Sequence, residues 1–174
     1  MAASSSSSSS AVESISAKLL ARAPTDVPLT PKSPWDTSLR AEIQSVKPSR
    51  GGSSRGSSDV LKAAMHLCND DIDNAHELAQ AHEESMTANL IHAILHRREQ
   101  DYWNSKWWLS RIKHPLLAQI HNGTSGAKNF VDQVERVETS SSSNNTLSEK
   151  EELQEKQWEE LRCLLEYALK EAGL

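Results

Sequence analysis

From Val60 to the C-terminus the apolar residues recur three and four positions apart, and nowhere does a β-branched or aromatic run alternate with turn dipeptides. A period of 3.6 residues puts such a pattern on one face of a helix, whereas a half-buried strand needs a period of two. The pattern therefore predicts an all-α chain. Order is expected to begin near Ser58-Asp59, a plausible N-cap, with Val60, Leu61, Ala64, Leu67 and Cys68 sharing one helical face. Asn69-Asp70-Asp71 breaks this helix and caps the next, whose core face is Ile72, Ala75, Leu78 and Ala79. A third helix is expected over 87–98, with Leu90, Ile91, Ile94 and Leu95 inward. A fourth runs over 101–113 with Tyr102, Ser105, Trp108, Leu109 and Ile112 on one side, and Pro115 stops it. A fifth covers 126–137 with Phe130, Val131 and Val134 inward. The last follows Ser140–Asn145 and opens on Thr146-x-x-Glu149 or Ser148-x-x-Glu151, both capping boxes. Its stripe is Trp158, Leu161, Leu165 and Ala168, with Leu164 and Leu169 beside it.

The N-terminal third reads differently. Seven serines, Ser4 to Ser10, are followed by Pro24, Pro28, Pro31, Pro34 and Pro48 and by the Gly/Ser stretch at 51–56. Hydrophobic residues make up 37 % of the chain. With glycine added the share reaches only about 40 %, against ~45–50 % in a typical globular chain. Residues 1–57 are accordingly expected to be a mostly disordered Ser/Pro/Gly-rich extension, with Trp35 and Leu39–Ile43 as its one short docked piece. Residues 58–172 form a single helical domain with a low-complexity linker at 139–145.

Charge divides the same way. Residues 1–55 hold seven Lys/Arg against four Asp/Glu, a net of +3, and the remaining 12 basic against 20 acidic residues give −8. A domain that acidic repels polyphosphate, which argues against nucleic-acid binding. No apolar run reaches the ~18 residues of a membrane span. The absence of an apolar leader region argues against secretion, so the sequons at Asn122 and Asn144 read as chance matches. A cytoplasmic or nuclear chain is expected. Lys18 and Arg22 on the weakly amphipathic 12–23 stretch make a mitochondrial presequence the alternative, which Glu13 opposes.

Two stretches look alike. Asp70-Asp71-Ile72-Asp73-Asn74-Ala75 and Gln100-Asp101-Tyr102-Trp103-Asn104-Ser105 place an Asp, a large apolar residue and a small residue at matching offsets, 30 positions apart. That spacing is close to the 34 of a tetratricopeptide repeat. The expected architecture is thus antiparallel helical hairpins, degenerate tetratricopeptide-like, closed by a C-terminal amphipathic helix. The segment from His92 to Trp108 reads H-x-x-x-H-R-R-E-x-D-Y-x-N-S-K-x-W. With 69–80 before it and His114-Pro115 after it, it resembles an uncharacterised family of small microbial all-helical proteins. Phe130-Val131-Asp132 and Trp158-Glu159-Glu160-Leu161 are similar to that family's later segments. The resemblance implies one domain over about residues 58–172, with the first 57 as an extension. The chain departs from the family at Glu83-Glu84-Ser85-Met86, where an Asp-Gly turn is expected, and at the inserted 139–145 linker.

His92 and His96 are spaced i,i+4, and Glu99 is three residues beyond His96, so all three share a face, with His76 on the neighbouring helix. This is ligand-type spacing for zinc or iron. An acid/base pair needing no metal fits as well. The plainer reading is a helix sandwiched between two others with hydrogen-bonded imidazoles on its second face. It is favoured because no further ligand is set by the sequence, so no cofactor is expected. Were a metal present, His76, His92, His96 and Glu99 would hold it. His76-Glu77-Leu78-Ala79-Gln80 is not a zincin motif, because Gln80 stands where the second histidine must be.

Arg97, Arg98, Lys106, Arg111 and Lys113 crowd one segment with Trp103 and Trp107. Such a patch can stack a base or hold an anion. The plainer reading buries Trp103 and Trp107 against the next helix and pairs Arg97 and Arg98 with carboxylates. No G-x-S-x-G elbow exists, and Cys68 and Cys163 fall on apolar faces where a thiol is inert. The first expectation is a helical protein-interaction module with another protein as partner. The alternative is a small-molecule or metal-dependent enzyme whose pocket is lined by His76, His92, His96 and Glu99, with Arg97, Arg98, Trp103 and Trp107 as further candidates. A third is a single-stranded nucleic-acid or anionic-ligand binder through the Arg/Trp patch.

Overall fold

A computed structural model describes residues 5–47, 55–140 and 147–174. These form nine α-helices and one short 3-10 helix, with no strand among the described residues. The helices are α1 (Ser5–Leu20), α2 (Leu39–Ser45), α3 (Arg55–Cys68), α4 (Ile72–Gln80), α5 (Met86–Arg98), α6 (Tyr102–Leu109), α7 (Pro115–His121), α8 (Thr124–Thr139) and α9 (Leu147–Glu171). No described helix is long and apolar enough to cross a membrane. The expected low-complexity linker at 139–145 begins at the last residue of α8. Ser140 is the C-cap of that helix, and residues 141–145, the Thr146 cap and the Asn144 sequon lie outside the described residues.

The 30-residue spacing found in the sequence is a spacing of two turns. α3 and α5 each end in a left-handed residue, Asp70 with φ 58° and Gln100 with φ 68°. After it, Asp71 N–H donates to His66 O at 2.9 Å, and Asp101 N–H donates to His96 O at 2.8 Å. Each is the six-to-one bond of a Schellman stop, and the closing Asp stands at the N-cap of the next helix: Asp101 accepts from Asn104 N–H, whereas the Asp71 carboxylate is taken by Arg40, His66 and the Asn74 side chain. α3 thus folds back as α4, and α5 folds back as α6, with α4 against α5 joining the two hairpins. α9 lies across α3 and also touches α7 and α8. It buries Trp158, Leu161, Leu164, Leu165 and Ala168 on the expected stripe. α5 is the central helix: Leu90, Ile91, Ile94 and Leu95 enter the core, and its opposite side is covered as well.

Several boundaries differ from expectation, and α8 runs over Thr124–Thr139 rather than the expected 126–137. α3 starts at Arg55, ahead of Ser58. The fourth helix stops at Leu109, although Ile112 beyond it is buried. Pro115 does not merely end a helix but opens α7 at its first position, where a proline lacks no needed N–H. The His114 Nδ1 atom caps α7, accepting from Leu116 N–H at 3.3 Å. α7 then turns sharply into α8, and Gly126 permits the turn, since a β-carbon there would stand 1.7 Å from His121 O.

The largest correction concerns the N-terminal extension. Val12, Ile15, Leu19, Val27, Leu29, Leu39, Ile43 and Val46 are all buried in the common core. The expectation of a mostly disordered 1–57 therefore fails for residues 12–46, while 1–4 and 48–54 lie outside the described residues. Each buried aliphatic side chain contributes about 1.5–3 kcal/mol against the cost of ordering this segment. The segment is anchored by charge too. The fully buried Arg22 donates to Asp70 Oδ2 at 2.7 Å and to the carbonyl of Cys68, and Arg98 donates to Asp70 Oδ1 from the other side.

Candidate metal centre

His92 and His96 stand one turn apart on α5, and α4 packs against that face and brings in His76. One ring nitrogen from each of the three lies within 4.8 Å of the others. His76 and His92 meet through their Nε2 atoms at 2.9 Å. The His92 ring stacks on His96 at 4.8 Å between centroids and on Trp108 of α6 at 4.3 Å, while His76 meets both imidazoles edge-on. His92 and His96 are buried, and the side chain of His76 keeps 27 % of its surface exposed.

Glu99, the cap residue at the end of α5, holds two of the rings. Its Oε1 accepts from His76 Nδ1 at 3.0 Å, and its Oε2 lies 3.2 Å from His96 Nδ1. These hydrogen bonds hold the Glu99 carboxyl down at about 2 and raise the pKa of His76. Desolvation, helped by the charges of His76 and His96, pushes His92 down to about 4. His92 Nδ1 has no hydrogen-bond partner among the described residues although it is buried. On the far edge of His96, the Asn104 amide nitrogen lies 3.1 Å from Nε2. Glu99 also walls a cleft of about 290 Å³ between residues 31–34 and the α3–α4 turn.

The donor set suits a borderline divalent cation. Imidazole nitrogens take zinc and the later first-row metals rather than magnesium or calcium. A carboxylate accepting from the distal ring nitrogen is the usual way a ligating histidine is oriented, and Glu99 serves two rings at once. Zinc–nitrogen bonds of ~2.0–2.1 Å with tetrahedral angles need nitrogens about 3.3 Å apart. The widest separation, up to 4.8 Å, must close by roughly 1.5 Å to reach that value, which requires the imidazoles to turn toward a common point. Both thiols are far from suitable: burial pushes Cys68 up to about 12 and Cys163 up to about 11.

The other candidates separate from this cluster. Arg97 is buried toward α9, paired with Glu160 and near Gln157. Arg98 is buried against Asp70, Leu67 O and Pro28 O. Neither lines a histidine pocket, and neither is free to meet an anion. The pairing with carboxylates was legible in the sequence, but its partners were not. His121 Nε2 joins the same ion cluster at 2.7 Å from Glu160. Burial by itself raises the Glu160 pKa, yet the Arg97 charge and the His121 hydrogen bond outweigh it and hold the group at about 2. Trp103 does not bury against a neighbouring helix: it is 72 % exposed. Trp107 is half-buried under the Arg111 guanidinium, 3.4 Å from its ring centroid, and touches Trp108. Sequence reasoning missed Trp108 and Asn104 as neighbours of the imidazoles. Their spacing from each other on α6 was visible, but the side they turn to α5 was not. No family model, curated protein or solved structure matches this chain.

Proposed function

We propose that this chain is a metal-binding protein whose centre is His76, His92 and His96, with zinc or another late first-row divalent ion as the ligand. One observation carries the reading: three imidazoles from two helices converge within 4.8 Å. Two of them are fixed by a shared carboxylate. A packed histidine face built only for stability has no use for three basic rings pressed together, since any protonation there sets like charges side by side. A metal ion converts the same crowding into coordination.

The test is a zinc titration of purified, chelator-stripped protein followed by calorimetry and elemental analysis. One equivalent per chain is expected, with the thermal midpoint rising as zinc saturates the folded state. Glu99→Gln is expected to weaken zinc about 10- to 100-fold by releasing both rings. His92→Gln is expected to abolish stoichiometric binding with the helical content intact. Absence of saturable binding in the unsubstituted chain refutes the proposal.

A helical protein-interaction module remains a second reading, favoured by the exposed indole of Trp103 beside Trp107 and Arg111. An apolar ring of that size in water is the kind of anchor a partner covers. A nucleic-acid role is weakened by the burial of Arg97 and Arg98, which leaves the patch without two of its cations.

A further inference from the structure

We propose that the three-histidine centre is an open one: an ion held there keeps a position for a small exogenous ligand beside the Asn104 amide, and in its zinc form it activates water to hydrolyse carbonyl esters. The inference rests on the metal reading above and deepens it. Structural zinc sites close with four protein ligands, whereas catalytic ones have three and leave a position for water.

Four observations point to the open type. Among the described residues, no further His, Cys, Asp or Glu joins the group of three. Glu99 cannot become a fourth ligand without surrendering its hold on the rings, because one oxygen faces His76 and the other faces His96. Solvent reaches one side, where His76 and Glu99 keep 27 % and 29 % of their side-chain surface exposed. The opposite side is closed by Trp108 stacked on His92. The remaining coordination position therefore faces water.

Asn104 gives that position a donor. Its amide nitrogen lies 3.1 Å from His96 Nε2, the nitrogen left for a metal once Nδ1 faces Glu99. Coordination through Nε2 takes up the lone pair that the amide meets, and the amide N–H is left beside the ion. There it can donate to an oxygen or nitrogen bound next to it. A bound water loses one proton to the solvent, since a zinc ion lowers its pKa toward about 7. The hydroxide adds to the ester carbonyl carbon, and the carbon–oxygen bond to the alcohol breaks. The departing alkoxide takes a proton from solvent. The net change is ester plus water to carboxylic acid plus alcohol, with no oxidant or reductant.

The test replaces zinc with cobalt(II) in the full chain and reads its visible spectrum. Uptake of one cobalt with bands that shift on adding azide is the expected result. Bands unmoved by azide mean a closed centre, which overturns this inference and leaves the metal reading standing. Failure to bind cobalt or zinc overturns both. Asn104→Ala is expected to bind cobalt as tightly as the unsubstituted chain but azide about 2- to 10-fold more weakly, the worth of one neutral hydrogen bond. An unchanged azide affinity removes Asn104 from the site. The zinc form is then given 4-nitrophenyl acetate. Zinc-dependent, azide-inhibited hydrolysis at least about ten-fold above His92→Gln is expected, since that variant lacks the centre. Equal rates overturn the water-activation step.

Discussion

Replacing Asp70 with Asn isolates the contact that docks the N-terminal segment. Asp70 is the carboxylate placed between two guanidinium groups, Arg22 and Arg98, whose side chains have no exposed surface. The carbonyls of Cys68, Asp26, Leu67 and Pro28 also accept from their terminal nitrogens, while both Nε–H groups are buried without a partner among the described residues, so the substitution leaves two buried cations with hydrogen bonds but no counter-charge. Asn is isosteric, and packing stays the same. Breaking a single buried ion pair costs about 3–5 kcal/mol. Because one anion here serves two cations, the upper part of that range is expected, a large share of the ~5–15 kcal/mol that stabilises a domain of this size. In urea, with a slope of roughly 2 kcal/mol per molar, the unfolding midpoint followed by circular dichroism should fall by about 2 M. Limited proteolysis supplies a second readout. The loss should appear first as cleavage within residues 21–47, before the α3–α6 hairpins yield. A midpoint within ~0.5 M of the unsubstituted chain, with that segment still protected, refutes the reasoning. Residues 12–46 would then be held by apolar contacts, with Asp70 a spectator.

Acid should destabilise the fold through His114. Burial pushes its pKa down to about 4, and its Nδ1 must stay unprotonated to cap α7. In the unfolded chain the same imidazole titrates near ~6.5, so the unfolded state binds the proton first as pH falls. Stability is fully present above pH ~6.5 and is lost progressively toward pH ~4, by up to about 3 kcal/mol from this residue. His114→Asn keeps a capping acceptor and should flatten that part of the stability–pH curve; an unchanged curve assigns the effect elsewhere. At the α7–α8 corner, Gly126→Ala should cost more than about 2 kcal/mol, because the new methyl meets backbone rather than a flexible side chain. A thermal midpoint lowered by less than ~2 °C in that variant shows that the corner can open at little cost.

Much of the domain was legible in the sequence. Helices α3, α4, α5, α8 and α9 follow from the 3.6-residue period. The two Asp residues 30 positions apart mark the hairpin turns, because the left-handed residue before each, Asp70 or Gln100, stops its helix locally. The shared face of His92, His96 and Glu99 was equally a local matter of helical geometry. What lay beyond reach is set by pairings across long stretches of chain. Arg22 finds Asp70 at a separation of 48 residues, Arg97 finds Glu160 at 63, and His76 finds His92 at 16. None of these leaves a periodic trace. The N-terminal segment therefore read as disordered while its aliphatic side chains in fact complete the core. Pro115 read as a stop, since a proline ends one helix and starts another with the same ring, and only the cap from His114 separates the two cases. The sequence by itself determined most of the helices from α3 onward and the face that carries two imidazoles and a carboxylate. The packing of α4 and α6 onto that face decided that a third imidazole and an indole would close over it, because helix-to-helix contact depends on the whole core and not on any one segment.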